Sequence, residues 1–351
     1  MRLRFGVVRF LYSDAKLFVT GSKDDLGNWD PNKAVAMDAS VNPVPIGEPS
    51  FWSLTVDLDL DKSEILEYKF ITKFRSCSND YNSVEWEGNG EIHNRRFVLP
   101  TRQELCSTRD SNKTNQSKSA AHCKIVNVPI DHWLEKTGAS NEMNHTRQFY
   151  FGIAERKDIH FSKITSRIYL GSCPRQAYHI GLLKSIGVSA IVNFQLAHDI
   201  ATNCSDVFPY AFSGHNAASD LAELHSQLGI AYIWLPTDDM STSGRTMALP
   251  QAVFTLVGLI ANGHTVYVHC NAGVGRSTAL VTGYLMFVAG LEFEQMRYFL
   301  LSRRPAVYID RVALEAAKPV YARCFGSLLT DEPRNVRNCE EIYASVKGLL
   351  N

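Results

Sequence analysis

Residues 265–278 read TVYVHCNAGVGRST, and this stretch decides how the second half of the chain is interpreted. A short apolar segment of strand length runs into a loop with two glycines, and a helix-like segment, TALVTGYLMFVAG, follows at once. Cys270 is followed six positions later by Arg276, and of the eight cysteines in the chain only Cys270 has an arginine at this spacing. The stretch therefore predicts a strand, a tight loop and a helix, with reactive groups at the turn.

The loop has the composition of a phosphate-binding site. Backbone amides that point inward at the start of a helix bind a phosphate dianion, and Gly273 and Gly275 would give the backbone the freedom to aim them. Arg276 adds a planar fork that holds two phosphate oxygens at once. The predicted phosphate-binding residues, besides Arg276, are Asn271, Ala272, Gly273, Val274, Gly275 and Ser277.

Cys270 is the predicted nucleophile. The positive field of such a loop lowers the pKa of its cysteine to roughly 3.5–7.5, so that the thiolate attacks phosphorus at neutral pH. Ser277 is placed to stabilise this thiolate when it leaves in the second step. The alternatives are a buried structural cysteine, which leaves the combined spacing unexplained, and a nucleotide-binding loop, which needs the GxxxxGK[ST] pattern that GVGRST lacks.

A carboxylic acid is needed to protonate the leaving alkoxide. The segment LPTDDMSTSGR at 235–245 offers Asp238 and Asp239. We favour Asp239 as the general acid, and then as the base for the water that hydrolyses the phosphocysteine. Spacing alone does not decide between the two aspartates.

The first hundred residues have the pattern of a β domain. Leu3, Phe5 and Val7 alternate with polar or small residues, and further short candidate strands are separated by Gly, Asn, Asp and Pro. A period of two fits strands with one buried face. The pattern predicts an all-β sandwich or a small barrel.

The second half has a different pattern of apolar residues. From about residue 160, apolar runs at 190–194, 231–236 and 265–270 alternate with longer helical stretches, which predicts an α/β fold with a buried, mainly parallel sheet. The polar segment 101–122 between the two halves is expected to be a loop.

Composition narrows the function classes. Of 351 residues, 36 are Lys or Arg and 36 are Asp or Glu, so no net charge draws the chain to nucleic acid or anionic lipid. The longest apolar stretches, 252–261 and 279–291, are shorter than a membrane span, so no transmembrane segment is expected. Without an export signal, the cysteines are expected to be thiols in the cytoplasm. No His/Cys cluster has convincing metal-ligand spacing, so no metal or other cofactor is expected.

Two tryptophans of the β domain suggest a sugar platform. Trp29 and Trp86 stand in polar, turn-like surroundings, and a flat indole on a β scaffold packs against the apolar face of a pyranose ring. Lys69 and Asn94 could hydrogen-bond sugar hydroxyls beside them. Burial statistics make it at least as reasonable that both tryptophans are core anchors.

The motifs resemble known families. GSKDDLGNWDP at 21–31, a YKF strand and a later WEGN are similar to the starch-binding domain of carbohydrate-binding module family 20, and HCNAGVGRST is similar to the dual-specificity phosphatases. The chain as a whole resembles the animal glycogen phosphatases, which join these two domains. The resemblance implies a starch-binding domain at 1–128, a linker at 129–158, a phosphatase domain at 159–328 and a tail at 329–351.

The resemblance also implies roles for individual residues. It assigns the nucleophile to Cys270, the phosphate clamp to Arg276 and the general acid to Asp239. In the catalytic domain it implies glucan contacts from Asp199, Tyr308 and Cys173. In the starch-binding domain it implies sugar contacts from Trp29, Lys69, Trp86, Gly90, Glu91, Ile92, His93 and Asn94. Two positions depart from the family: Asn94 replaces an aspartate and Asp238 replaces a proline.

The expected function is hydrolysis of phosphate monoesters on glycogen or a similar phosphorylated α-glucan. The alternatives are a protein dual-specificity phosphatase that binds glycogen, and a glycogen-bound scaffold. From the resemblance we also expect a homodimer, a cytoplasmic, glycogen-associated location, and partners that include an E3 ubiquitin ligase and glycogen-targeting proteins.

Overall fold

A computed structural model of the chain describes residues 1–11, 14–40, 48–60, 64–75, 81–98, 125–207 and 217–330. The predicted polar loop at 101–122 and residues 331–351 of the predicted tail lie outside these ranges. The chain divides into two compact units. The first contains the described residues up to Met143 except Glu48, and the second contains Glu48 and the described residues from Asn144 onward.

The first unit consists of two β-sheets. Its strands are β1 (Arg2–Arg9), β2 (Ala15–Gly21), β3 (Val35–Ala36), β4 (Asp38–Ala39), β5 (Ser50–Asp57), β6 (Ile65–Arg75), β7 (Tyr81–Trp86), β8 (Arg95–Val98), β9 (Val126–Asn127) and β10 (Asp131–His132). The first sheet has the order β10–β1–β5–β4, with β9 also paired to β1. The second has the order β3–β2–β6–β7, with β8 also paired to β6.

The two sheets share one apolar core. Leu3 and Phe5 of the first sheet and Val19 and Phe70 of the second are buried in the same cluster. The alternating Leu3 and Phe5 therefore do face a core shared by the two sheets, and the prediction of an all-β sandwich is confirmed.

Residues 129–158, predicted as a linker, contain elements of both units. Strand β10 pairs in parallel with β1 of the first unit. The helix Glu142–Arg156 buries His145, Phe149 and Ile153. A two-residue strand and a helix of low mean hydropathy leave little periodic signal, so the sequence pattern did not reveal these elements within the expected linker.

The second unit is a mainly parallel sheet with surrounding helices. Its strands are β11 (Phe161–Lys163), β12 (Ile168–Gly171), β13 (Ala190–Asn193), β14 (Ala231–Trp234) and β15 (Val266–His269). Its helices are α1 (Glu142–Arg156), α2 (Ala177–Ser185), α3 (Ala197–Asn203), α4 (Ala217–Gln227), α5 (Thr242–Ala261), α6 (Arg276–Phe287), α7 (Phe293–Leu301) and α8 (Arg311–Thr330). The predicted α/β fold is confirmed.

The strand order β11–β12–β15–β13–β14 determines where the site forms. All neighbours except β11 and β12 pair in parallel. The loops that follow β12, β13, β14 and β15 therefore leave the same edge of the sheet. In open parallel sheets, ligands bind outside these carboxyl ends.

One helix among the described residues, α5, is long and apolar enough to cross a membrane by length and composition. Core helices of folded domains pass the same test. Helix α5 packs against α6 and α8 and carries seven buried residues, as expected of a core helix.

The loop between β7 and β8 depends on one buried carboxylate, Glu87. Its two oxygens accept hydrogen bonds from Arg95 Nε and Nη2, both at 2.8 Å, and one also accepts from the Phe70 amide at 2.9 Å. Neither side chain of the pair is more than 8% exposed. By contrast, the Arg96 side chain, which pairs with Glu67, is 69% exposed.

We predict that Glu87→Ala lowers the unfolding free energy of the first unit by about 3 kcal/mol, because it leaves a buried guanidinium without its main partner. Arg96→Ala is the matched control and should cost less than about 1 kcal/mol. Denaturant unfolding followed by tryptophan fluorescence measures both. Equal losses of unfolding free energy in the two variants would show that the Glu87–Arg95 pair stabilises the unit no more than a surface ion pair does.

Candidate active site

The predicted nucleophile lies where the central strand ends. Strand β15 ends at His269, Cys270 follows, and α6 begins at Arg276. Cys270 Sγ lies 3.2 Å from Ser277 Oγ. Burial alone would raise the pKa of the Cys270 thiol, but the Arg276 charge and hydrogen bonds from the side chain and backbone of Ser277 outweigh burial and lower it. The site therefore favours a thiolate.

The histidine before the nucleophile carries no charge at neutral pH. His269 is fully buried, and burial lowers its pKa to about 3. Its Nδ1 lies 3.3 Å from the Cys270 carbonyl oxygen. The positive charge beside the thiolate comes from Arg276 and not from this imidazole.

Arg276 is buried and held along one side of its guanidinium. Nη1 donates to Asp199 Oδ2 at 2.7 Å and to the carbonyl oxygens of Thr237 at 3.2 Å and Phe194 at 3.4 Å. Within the described part of the chain, Nη2 has no hydrogen-bond partner, and Nε makes no hydrogen bond but lies 3.3 Å from Asp239 Oδ1. These two donors form the planar fork that fits two phosphate oxygens.

The two glycines of the loop differ in whether their backbone geometry and surroundings require a glycine. Gly273 has φ +70°, and a Cβ there would lie 2.3 Å from the Gly171 carbonyl oxygen. Gly275 has φ −113°, and a Cβ there would meet nothing within 4 Å. The backbone freedom expected of both glycines is therefore used at Gly273, whereas Gly275 shows neither a left-handed conformation nor a close approach.

Asp199 supports the arginine and the loop together. Its Oδ2 pairs with Arg276, and its Oδ1 accepts from Asn271 Nδ2 at 2.9 Å. Burial would raise the pKa of Asp199, but hydrogen bonds from Arg276 and Asn271 lower it. Gln195 completes the arrangement, because its Nε2 donates to Asn271 Oδ1 at 2.8 Å. Both oxygens of Asp199 accept hydrogen bonds from protein donors in this structure. The glucan contact predicted for Asp199 stays a prediction.

Arg304 is a site residue that the sequence reasoning missed. It is fully buried, and its Nε and Nη2 donate to the carbonyl oxygens of Gly273 and Ala272, both at 2.8 Å. Arg304 thus fixes the carbonyl side of the phosphate loop. Arg304 lies in the segment RPAVYID at 304–310, and no spacing or periodicity in that segment indicates a contact with the phosphate loop.

Of the two candidate acids, Asp239 is the one that lies against the arginine. Asp239 Oδ1 is 3.3 Å from Arg276 Nε, and the carboxylate is half-exposed. The same oxygen accepts from the Met240 amide at 3.0 Å, where Met240 has φ +54°. This geometry favours Asp239 over Asp238, and its role as general acid stays a prediction.

Tyr308 and Cys173 lie beside the loop in different ways. The Tyr308 amide donates to the Val274 carbonyl oxygen at 2.9 Å, and its half-buried ring packs near Ala272. Cys173 has no exposed surface, and its amide donates to the Asn271 carbonyl oxygen at 3.2 Å. A fully buried thiol cannot touch a sugar directly, so any effect of Cys173 on substrate passes through the loop it holds.

The predicted sugar tryptophans are not core residues. Trp29 and Trp86 are half-buried and lie outside the core cluster, whereas Trp52 and Trp133 belong to it. Trp29 has φ +65°, an uncommon conformation for a bulky residue. Such strain persists where the surroundings impose it, often at ligand sites. The core-anchor alternative therefore loses its support, and sugar contact stays a prediction.

The remaining predicted sugar contacts cluster beside β6. Lys69 is buried, and its Nζ donates to the Gly90 and Glu87 carbonyl oxygens. Through these hydrogen bonds Lys69 holds the start of the 90–94 loop. Burial lowers the pKa of the Lys69 ammonium group. Asn94 Nδ2 donates to Glu67 Oε2 at 3.3 Å. At the loop's surface lie Gly90, Glu91 and Ile92, with His93 half-buried and accepting from the Asn89 amide.

The described side chains include no group of three or more His, Cys, Asp or Glu placed to hold a metal ion. The arrangement around Cys270 supplies a nucleophile, a charge clamp and a carboxylate. These are the groups that transfer of a phosphoryl group to sulfur requires.

Comparisons with known proteins agree with the two motifs. The dual specificity phosphatase catalytic-domain family matches residues 168–311, and the starch binding domain family matches residues 1–109. The chain therefore carries both domains, as the motifs predicted.

Similarity to one relative extends over nearly the whole chain. Laforin of Mus musculus is 38% identical over 93% of this chain and 98% of its own length. Phosphoglucan phosphatase LSF1, chloroplastic, of Arabidopsis thaliana is 31% identical over 46% of this chain and 24% of its own length. Phosphoglucan phosphatase DSP4, amyloplastic, of Castanea sativa is 27% identical over 42% of this chain and 36% of its own length.

We predict that Asp199→Asn lowers kcat/KM by roughly 10- to 100-fold on an aryl phosphate and on a phosphorylated glucan alike, because both need an oriented Arg276. His198→Asn is the matched control, since the exposed His198 is on the same helix and lies 3.6 Å from Asp199. Steady-state kinetics on both substrates measures the effect. A loss confined to the glucan would instead make Asp199 a sugar contact.

We predict that Asp239→Asn lowers the rate by roughly 10²–10⁴ for an alkyl phosphate, whose leaving oxygen must be protonated, and much less for an activated aryl phosphate. Asp238→Asn should leave both rates near those of the wild type. Single-turnover rates on the two substrates make the comparison. If the leaving-group dependence appears in Asp238→Asn instead, the assignment of the acid is reversed.

Proposed function

Because the chain belongs to the laforin family, we propose that it is a glucan phosphatase. It binds glycogen-like α-glucans through the first unit and hydrolyses their phosphate monoesters in the second. The observation that carries this proposal is the joining, in one chain, of a starch-binding domain and a phosphatase domain over the length of a laforin. Neither domain alone distinguishes a glucan substrate from a phosphoprotein.

The first chemical step forms a phosphocysteine. The phosphate dianion enters the loop at the start of α6, with two oxygens on Arg276 Nε and Nη2. Cys270 Sγ attacks phosphorus as the phosphorus–oxygen bond to the sugar breaks. Asp239 gives its proton to the departing alkoxide. The lowered pKa of Cys270 supports this step, because it favours the thiolate over the thiol.

The second step releases phosphate. Asp239, now ionised, takes a proton from water, and the water oxygen bonds to phosphorus as the sulfur–phosphorus bond breaks. Ser277 Oγ, 3.2 Å from the sulfur, supports stabilisation of the leaving thiolate. The net reaction consumes water and yields the glucan hydroxyl and inorganic phosphate.

The starch-binding unit raises the local concentration of polymer. A weak sugar site tethered to an active site increases turnover through effective concentration and without new contacts at the reacting phosphate. The half-buried Trp29 and Trp86 support this role, because aromatic faces that remain accessible are available to pyranose rings.

We also propose a cytoplasmic, glycogen-associated location, supported by the free thiols at Cys173, Cys204, Cys270 and Cys324 and by the need for a reduced nucleophile. A homodimer, an E3 ubiquitin ligase partner and glycogen-targeting partners are further proposals that rest on family resemblance. Light scattering of the purified chain tests the dimer. Co-purification with glycogen particles tests the location.

We predict that Trp29→Ala and Trp86→Ala each lower the dephosphorylation of phosphorylated glycogen at least tenfold more than that of a small aryl phosphate, which needs only the phosphate loop. Ile65→Ala, which truncates an exposed apolar residue of the same unit, is the control and should change neither rate. Parallel losses on both substrates would remove the tryptophans from polymer capture and favour a protein phosphatase.

Cys270→Ser should abolish turnover on both substrates while co-sedimentation with glycogen stays at the wild-type level, because the hydroxyl is a far weaker nucleophile than the thiolate. Phosphate release and pelleted protein are measured on the same samples. Turnover that survives this substitution would contradict the phosphocysteine route, and loss of co-sedimentation in this variant would show that the two functions are not separable.

A further inference from the structure

Glu48 is a buried carboxylate that the proposed mechanism does not use. It belongs to the second unit, although its position in the chain falls within residues 1–109, which match the starch-binding family. Its side chain is 4% exposed, and its Oε2 lies 3.0 Å from His160 Nε2. Among the described residues, its other oxygen has no hydrogen-bond partner. Because a buried carboxylate is costly unless a positive charge compensates it, a cation should lie beyond His160.

His160 connects this carboxylate to Arg304. His160 Nδ1 lies 3.0 Å from Arg304 Nη1, and the imidazole packs edge-on against the Phe149 ring. Arginine has only donors, so Nδ1 accepts from Arg304 and the ring proton is on Nε2, where it is donated to Glu48. The contacts of the two ring nitrogens therefore fix the tautomer of His160 and the orientation of its ring.

Arg304 needs a counter-charge, because it is fully buried and its hydrogen-bond partners are neutral. Its Nε and Nη2 donate to the carbonyl oxygens of Gly273 and Ala272, and its Nη1 also donates to Ser162 Oγ at 3.4 Å. Burial lowers the pKa of the Arg304 guanidinium, and the negative charge of Glu48 is the largest of the effects that oppose burial. Among the described residues, Glu48 is therefore the main counter-charge of this arginine.

The two carbonyl oxygens that Arg304 holds determine where the loop amides point. In a planar trans peptide, the N–H group of one residue points away from the carbonyl oxygen of the residue before it. Because Arg304 holds the carbonyl oxygens of Ala272 and Gly273, the amides of Gly273 and Val274 point to the opposite side. Amides that point inward at the start of a helix bind a phosphate dianion. The position of Arg304 therefore decides how well these two amides meet the phosphate.

We propose that Glu48 is a positioning residue for phosphate binding, which acts through His160 to hold Arg304 where it aims the loop amides at the phosphate. The proposal rests on the phosphatase chemistry proposed above and not on the glucan, because every phosphate monoester would occupy the same loop. The amides contact phosphate oxygens both before and during the reaction, so their misalignment should weaken phosphate binding more than it lowers kcat.

The first experiment removes the charge of Glu48 and keeps the shape of its side chain. Full-length Glu48→Gln is compared with the wild type and with Glu315→Gln, in which an exposed glutamate of α8 loses its charge. Calorimetric titration gives the dissociation constant, Kd, of inorganic phosphate, and steady-state kinetics gives kcat on an aryl phosphate. We expect Glu48→Gln to raise Kd about three- to tenfold and to change kcat less than about threefold. Glu315→Gln should leave both values within about twofold of the wild type.

These measurements separate positioning from a general loss of structure. Partial unfolding of Glu48→Gln would lower kcat and the number of phosphate sites in the titration, while the Kd of the folded fraction would stay unchanged. An unchanged Kd therefore overturns the proposal. Phosphate binding is measured without turnover, so a wild-type chain that binds phosphate but hydrolyses no monoester would overturn the proposed function and leave the role of Glu48 decided by Kd. A wild-type chain that binds no phosphate would overturn both.

The second experiment tests whether Glu48 acts through His160. His160→Phe keeps an aromatic ring against Phe149 and removes both ring nitrogens. The Kd of inorganic phosphate is measured for this variant, for Glu48→Gln and for the double variant. If the imidazole carries the effect, the double variant should bind phosphate as His160→Phe alone does, within about twofold. Single effects that multiply in the double variant would show independent action and overturn the role of His160. His160→Asn, whose shorter side chain lacks a group at the Nε2 position, repeats the comparison if the phenylalanine variant is poorly folded.

Discussion

The ion pair between Asp199 and Arg276 is the interaction on which the catalytic end of the molecule depends. A guanidinium only 1% exposed needs a compensating charge and satisfied donors, and Asp199 supplies the charge at 2.7 Å. The partners come from different loops: Asp199 is on the helix that follows β13, and Arg276 begins the helix that follows β15. The parallel sheet brings these loops together because its strands end at one edge.

The phosphate loop is held by contacts to two separate sets of residues. In the first set, the Gly171 carbonyl lies so close to Gly273 that no side chain fits between them. Arg304 belongs to the same set and donates to two carbonyl oxygens of the loop. In the second set, Gln195 and Asp199 hold the Asn271 side chain. Preorganised donors of this kind do not have to rearrange during the reaction, which is why they stabilise a transition state more than solvent does.

Local sequence predicted much of this structure. Alternation in Leu3, Phe5 and Val7 predicted a half-buried strand, and the apolar run before Cys270 predicted a buried one, because both signals are contained within a few residues. The six-residue spacing between Cys270 and Arg276 was an equally local signal. The two-domain fold and the position of Cys270 and Arg276 at one strand–loop–helix turn were therefore accessible from sequence.

Long-range contacts were not accessible in the same way. Arg304 acts on a loop some thirty residues before it, and Gln195 and Asp199 act on residues more than seventy positions later. No period or spacing encodes such partners. The difference at Gly275 has the opposite origin, since a glycine in a motif suggested a backbone requirement that its φ of −113° does not impose. Sequence indicates which residue types are present, and tertiary packing decides which of them are constrained.

The two units separate the recognition of polymer from the chemistry of phosphate. In one unit, the Glu87–Arg95 pair and the buried Lys69 hold the loop that follows the half-buried Trp86. In the other unit, Cys270 and Arg276 are buried. The central claim is that the Arg276 charge makes Cys270 a thiolate.

The most direct test of this claim is the pH dependence of Cys270 alkylation by iodoacetamide, followed by mass spectrometry of the peptide that contains it. In the wild-type protein the midpoint should lie below the ordinary thiol pKa of about 8.5. In Arg276→Gln, which removes the charge and keeps a donor, the midpoint should move to higher pH because burial then dominates. A wild-type midpoint at or above the ordinary value, unchanged by the substitution, would contradict the claim.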